Sequence, residues 1–361
     1  MPIRVESPQG EAALTDFLLF HDRVYESRSA RWPSFVPLQL PALEGNGPFA
    51  QDRTFRPFLA VEGGRPLARA VGMIDRRYQR HWREPLGHVV LFEALQDARE
   101  ATRRVMDAAC EWLGEQGAVA ARVGSPHAPL DMPFRLDDDG LLPPMGLRQN
   151  PGYMNTLLKD AGFETERGWV DYRITVTPEL VARWESARAA ARRGGIDLVP
   201  LHDVPESQRV PAFTALWDEC FAEHWGVVPS TEDEFALLLE LQGPTGVLDT
   251  SVMAYRDGKP IGVLWVAPES TMMAVLDPGR TLRDEEKVNF LGIGVHRDAR
   301  GQGVNLAMAA NAYLEIVRHH GVPYLSYTLV LDDNWPSRRT AEKLGAYVGA
   351  SYVTYRRNLR R

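Results

Sequence analysis

Apolar positions along this chain recur with two periods, and stretches of each kind alternate. Around residues 99–116 and 304–320 the spacing is that of an amphipathic helix. In the second stretch Leu306, Ala310, Tyr313 and Val317 share one face, and Gly321 with Pro323 stops it. Residues 67–74 and 261–266 are instead short, near-continuous apolar runs of strand length. Each follows a turn carrying Gly, a base and Pro: Gly64-Arg65-Pro66 and Gly258-Lys259-Pro260. This arrangement predicts a β-hairpin in both places.

The order of these elements repeats. Phe17 to Asp22 and Phe213 to Asp218 open comparable amphipathic helices. Further on, Gly162 and Gly345 each close a helix, as a left-handed C-cap requires. A Tyr-Arg pair follows ten residues later in both copies, Tyr172-Arg173 and Tyr355-Arg356. Three coincidences in the same order point to a tandem duplication. Each copy reads as helices, a hairpin, a strand, a long helix, a strand, a shorter helix and a final strand. That alternation predicts an α/β or α+β layered fold with helices on a sheet. The expected boundaries are one domain over 1–175, a linker helix over 176–196 and a second domain over 197–361. The Ala/Arg-rich linker, closed by Gly194-Gly195, reads as solvated.

Composition narrows the function classes. The 361 residues suffice for two cores, and the net charge of −7 argues against nucleic acid as main partner. No apolar run approaches the roughly 20 residues that span a bilayer. Nor does the N-terminus resemble a signal peptide, so a cytoplasmic protein is expected. Cys110 and Cys220 supply neither a disulfide framework nor a metal spacing, and no metal is expected. The expected assembly is a monomer or homodimer away from membranes.

The copies differ where chemistry is most legible. After the apolar run 290–295 the second copy has a short charged loop, then Arg300-Gly301-Gln302-Gly303, then helix. A strand turning through glycines into a helix N-terminus gathers unpaired backbone N–H groups, an arrangement that accepts a phosphate. Gly-x-Gly alone is weak evidence. The chain holds three such triplets, beginning at Gly45, Gly292 and Gly301, where about two are expected by chance. The first copy has Leu91-Phe-Glu-Ala-Leu-Gln-Asp-Ala-Arg-Glu at this place, without glycine and with Asp97 and Glu100 near the helix start. It is not expected to bind the same ligand. Its Pro-rich loop, 125–153, is long enough to cover a site or seal an interface.

With these motifs, residues 197–358 resemble the GNAT acyl-CoA-dependent N-acyltransferase superfamily, and 1–175 looks like a second, degenerate GNAT-like domain. The resemblance rests on Arg300-Gly301-Gln302-Gly303-Val304-Asn305 against the family motif Gln/Arg-x-x-Gly-x-Gly/Ala. It implies two tandem domains, each a mixed, mostly antiparallel sheet flanked by helices. It further implies that acetyl-CoA or another acyl-CoA is bound. The amides of Arg300, Gly301, Gln302, Gly303, Val304 and Asn305 would cradle its pyrophosphate, and Ile293 and Val295 on a splayed strand would pair with pantetheine. Asn334, which also reads as an N-cap before Pro336, would contact CoA as well.

The departures concern proton transfer. The family often has a Tyr seven residues after that Asn, where this chain has Ala341, and a Glu on the splayed strand, where it has Leu291. Direct attack on a thioester needs little beyond positioning and an oxyanion donor. Glu223 and His224 are the candidate proton acceptors, Tyr327 is a candidate facing the thioester, and Asp218 and Trp225 are candidates for the acceptor pocket. The leading expectation is transfer of an acetyl or other short acyl group to an amine on a small molecule or peptide. A catalytically inactive GNAT-like binding module is the alternative. A third class, tandem GNAT-like enzymes that take an aminoacyl group from tRNA, fits the acidic balance poorly.

Overall fold

The computed structural model describes residues 1–269 and 271–359. The first copy begins with strand β1 (Arg4–Glu6), helix α1 (Glu11–Val24), β2 (Ala30–Arg31) and α2 (Val36–Leu43). The predicted hairpin follows as β3 (Arg53–Glu62) and β4 (Arg65–Asp75), then α3 (Arg76–Trp82) and β5 (Leu86–Ala94). The copy closes with α4 (Arg99–Glu115), β6 (Ala120–Val123), β7 (Phe134–Arg135), α5 (Tyr153–Asp160) and β8 (Glu164–Thr175). The second copy opens with α6 (Pro178–Arg193), β9 (Asp197–Pro200), α7 (Glu206–Phe221), α8 (Glu232–Gln242) and α9 (Val247–Thr250). The second hairpin is β10 (Val252–Arg256) and β11 (Lys259–Ala267), followed by β12 (Val275–Leu276) and β13 (Phe290–Val295). Helix α10 (Val304–His320), β14 (Tyr324–Leu331), α11 (Trp335–Lys343) and β15 (Tyr347–Asn358) complete the chain.

The sheets are mostly antiparallel, and among the described residues β5 with β6 is the parallel pair. Four strands, in the order β13-β11-β10-β9, belong to the second copy alone. The other large sheet has nine strands in the order β1-β3-β4-β5-β6-β15-β8-β14, with β7 also on β15. The two copies have therefore exchanged their last strands. Strand β15 pairs with β6, β8 pairs with β14, and β8 and β15 pair with each other over most of their length. Trp169 Nε1 on β8 donates to Thr354 Oγ1 on β15 at 2.9 Å, and that hydroxyl donates to the Gly124 carbonyl at 2.6 Å, just past β6. Each core accordingly borrows from the other copy. Val353 and Tyr355 of β15 lie in the first core, and Val170, Tyr172 and Ile174 of β8 lie in the second.

Helix α6 corrects the expectation of a solvated linker. It packs along α10, with fully buried Trp184 5.4 Å from the Tyr313 ring and its Nε1 donating to the Leu344 carbonyl at 3.1 Å. Arg188 lies along this seam and pairs with Glu315 of α10 at 3.0 Å, leaving mainly the helix's outer face to water. A buried ionic joint ties the copies together elsewhere. Glu234 on α8 accepts from Arg53 at 2.6 Å and Arg77 at 2.9 Å, and Arg53 also meets Asp75 at 2.7 Å. Burial alone would raise the Glu234 pKa, but Arg77 and Arg53 outweigh it and hold this carboxyl below its usual range.

Candidate active site at the junction of the copies

At the base of the second copy, β13 and β14 are bridged by a side chain instead of a backbone ladder. Asn289 donates from Nδ2 to the Ser326 carbonyl at 2.9 Å and accepts from the Ser326 N–H at 2.8 Å. Beyond this bridge the strands belong to different sheets and part. The glycines of β13 have a packing reason. A Cβ on Gly292 would come within 2.6 Å of Trp217, and one on Gly294 within 2.7 Å of Cys220 and Phe221. Helix α7 can thus lie against the strand, while Leu291, Ile293 and Val295 line a cavity of about 1210 Å³ that reaches into the first copy.

Residues 300–305 fold as the glycine pattern predicts. Gly301 and Gly303 have φ of +78° and +79°, a left-handed geometry natural to glycine. Gly303 is the N-cap of α10 and offers no side chain to its first turn. Among the described residues, the N–H groups of 301–305 donate to no protein acceptor, while Leu306 N–H is taken by the Asn305 side chain at 2.9 Å. Five successive free amides at a helix N-terminus form an anion cradle. Asn305 turns its amide toward α11, donating to Thr340 Oγ1 at 2.6 Å, so it does not crowd the cradle. Gln302 likewise points back, donating to the Asp298 carbonyl at 2.9 Å. The Arg300 guanidinium is held by the Cys220 carbonyl at 3.2 Å, with exposed Glu223 at 3.9 Å.

Asn334 caps α11, accepting from the Ser337 N–H at 3.3 Å, and it also lines the cavity. Tyr327 lies in the wall with its hydroxyl 3.0 Å from Ser337 Oγ, and burial pushes its pKa up to about 12. It is therefore a neutral hydrogen-bond donor at physiological pH. His224 lines the cavity too, 5.2 Å edge-to-face from His127. Burial lowers both pKa values, each further opposed by positive neighbours, so both rings are neutral near pH 7. His127 Nε2 has no hydrogen-bond partner among the described residues. Sequence reading did not single out His127. It lies on the Pro-rich 125–153 loop, which lines the cavity through Pro126 to Met132 and again through Met145 to Gln149.

Two sequence-predicted pocket residues are engaged elsewhere. Trp225 is absent from the cavity wall; Arg122 lies 4.4 Å and Arg167 5.6 Å from its ring centre. It packs between guanidinium groups at the strand exchange. Asp218 accepts from the Ser230 N–H at 2.9 Å, twelve residues on. Asp22 of the first copy accepts from Ser34 at the same distance and separation. A bond retained in both copies belongs to the scaffold. Burial is the main reason Asp218 titrates at about 6 instead of 3.8. The native state thus binds this proton more tightly than the unfolded chain, and the stability it contributes below pH 3.8 is lost as pH rises through 6. Asp218→Asn keeps the acceptor oxygen and removes the charge. Its stability relative to wild type should rise by about 1–3 kcal/mol between pH 4 and 7.5. Urea melts at both pH values check this, and an unchanged difference would disprove it.

This fold, with a splayed strand pair beside a glycine-built amide cradle, is similar to that of solved tandem GNAT structures. Residues 210–346 match the acetyltransferase (GNAT) family model. Over 284 residues, 74% of this chain and 69% of the relative, it is 27% identical to the bacterial ceramide synthase of Caulobacter vibrioides (strain NA1000 / CB15N). A tandem GNAT protein from the clavulanic acid biosynthesis pathway superposes with a TM-score of 0.59 at 14% identity, over 100% of this chain and 99% of its own. The GCN5-related glucosamine N-acetyltransferase region of a fungal multi-domain GH3 beta-N-acetylglucosaminidase gives 0.61 at 16% identity, over 98% of this chain. This chain spans only 38% of that fungal protein.

Proposed function

We propose that this protein is an acyl-CoA-dependent N-acyltransferase whose acceptor is a long-chain amino alcohol and whose acyl group is longer than acetyl. Supporting this most directly is the cavity of about 1210 Å³ that runs from the glycine loop into the first copy. It exceeds the roughly 300–1,000 Å³ usual for compact ligands. Apolar side chains such as Trp217, Phe235, Trp265, Phe35, Leu130 and Met145 line it. Ceramides are N-acyl amides of long-chain amino alcohols, so the Caulobacter relative's name fits the same chemistry. The expected short acyl group and small or peptide amine give way here to lipid substrates.

The amides of residues 301–305, with Arg300, would hold the CoA phosphates, and Ile293 and Val295 would lie along its pantetheine. When bound, acyl-CoA supplies the thioester carbonyl that the amine attacks, giving an amide and free CoA thiol. His224 is the proton acceptor in this reading, neutral at pH 7 and on the cavity wall, and Tyr327 is a hydroxyl donor on the same wall. Cys220 has no nucleophilic role, since burial pushes its thiol to about 12.

The test offers purified protein acetyl- and palmitoyl-CoA with a long-chain 2-amino-1,3-diol and a short amine, and detects amide by mass spectrometry. Product from the long-chain pair is expected. CoA and lipid binding without any amide would support a binding module instead. His224→Ala should lower kcat by about 10²–10⁴-fold, the usual range for losing a general base. At saturating amine, the acid limb of the wild-type kcat profile should fall below pH 6.5, because burial lowers the His224 pKa from that value. A variant retaining wild-type kcat would remove His224 from this role.

A further inference from the structure

The same register that sets Asp22 on Asp218 and Ser34 on Ser230 also aligns the cavity walls of the two copies. It places His21, Tyr25 and Gln39 where the second copy has Trp217, Phe221 and Phe235. All six line the cavity. The hairpin glycines extend the comparison. Five residues past Gly64, Arg69 pairs with Glu93, and five past Gly258, Val263 pairs with Gly294. At five aligned positions, then, the first copy carries His, Tyr, Gln, Arg and Glu where the second has Trp, two Phe, Val and Gly. Burying such groups is costly unless they find partners.

Part of the cluster is satisfied internally. His21 Nδ1 is 2.6 Å from Glu93 Oε1, and Arg69 Nη2 donates to Glu93 Oε2 at 3.1 Å. Arg69 also donates to the carbonyls of Phe17 and Leu18 at 2.7 and 2.8 Å. Glu93 stays ionised, its carboxyl held down to about 2 because His21 and Arg69 outweigh the cost of burial. The remaining groups lack partners among the described residues: the Tyr25 hydroxyl, Gln39 Oε1 and Arg69 Nε are all buried and unpaired. Tyr25 itself is 1% exposed. Unpaired buried polar atoms are uncommon, and three on one cavity wall point to a ligand that pairs them.

We propose that the first copy, which has no CoA loop, binds the hydroxyl-bearing end of the acceptor, with Tyr25 and Gln39 as its hydrogen-bonding partners. The Glu93 charge is already balanced by Arg69, so the unpaired atoms of the site are left to the hydroxyls that flank the acceptor's amine. This rests on the reading of the acceptor as a long-chain amino alcohol. It assigns specificity to the copy without the cofactor loop.

The experiment compares octadecylamine with a 2-amino-1,3-diol of equal chain length, using full-length protein and palmitoyl-CoA. Wild type should favour the diol in kcat/KM by about tenfold or more, the scale expected when a site must hydrogen-bond a hydroxyl. Tyr25→Phe installs the side chain of the second copy's Phe221, and Gln39→Leu removes the second partner; each should shrink that ratio to within about threefold of unity. The melting temperature of Tyr25→Phe should hold or rise, since an unpaired buried hydroxyl is lost. Equal use of both amines by wild type, or an equal loss on both in the variants, overturns the assignment and leaves the proposed function standing. No turnover of either amine would remove the proposed function, and this assignment with it.

Discussion

Gly303→Val should weaken CoA binding at least about 100-fold, measured by calorimetry on the purified protein. At φ +79° a β-branched residue is strained by about 1–2 kcal/mol, and the peptide will rotate to relieve it. Nothing lies within 4 Å of a Cβ built on Gly303, so the effect comes from backbone geometry and not from a clash within the fold. Rotation turns away N–H groups of the 301–305 cradle. Each hydrogen bond to a charged phosphate contributes about 1.5–3 kcal/mol, so losing one or two accounts for the loss. Gly303→Ala should be milder, because alanine tolerates left-handed geometry better than valine. Wild-type CoA affinity in Gly303→Val would mean that the phosphates bind elsewhere.

Ending the chain at residue 346 should abolish cooperative unfolding in both halves, and residues 1–175 alone should fail to fold stably. The first core loses Val353 and Tyr355, both buried in it, and β6 loses its β15 neighbour. Burial of such side chains stabilises by about 1.5–3 kcal/mol each, against a typical total of 5–15 kcal/mol. Urea melts followed by circular dichroism read this directly. A cooperative transition in the isolated 1–175 fragment would show that the strand exchange is dispensable.

Much of this was legible in the residues. The hairpins carry their turn chemistry at Gly64 and Gly258, helix α10 has the predicted bounds, and the glycine loop leads into it as a strand-to-helix turn. Strand exchange was not legible. A β-prone segment such as residues 168–174 says that it is a strand, but its partner is chosen by tertiary packing. Asp218 and Trp225 have residue types that suit a pocket as well as a joint, and the Ser230 N–H and the Arg122 guanidinium engage them in joints. His127 had no periodicity to mark it; its one signal was the length of the loop that holds it. The contrast between Tyr25 and Phe221 was present in the repeat, but it needed the cavity wall to give it meaning.

The exchanged strands also set a timetable for biosynthesis. When β6 leaves the ribosome, its neighbour β15 begins about 220 residues further along the chain. At roughly 5–20 residues per second, that edge waits on the order of 10–45 s before its partner exists. During this interval β6 and β8 are open edges that a neighbouring nascent chain on the same polysome can join. A second molecule's β15 would fit the gap as well as the chain's own. Crowded translation should therefore favour interlocked dimers, and slow synthesis or a chaperone that shields these edges should favour the closed monomer.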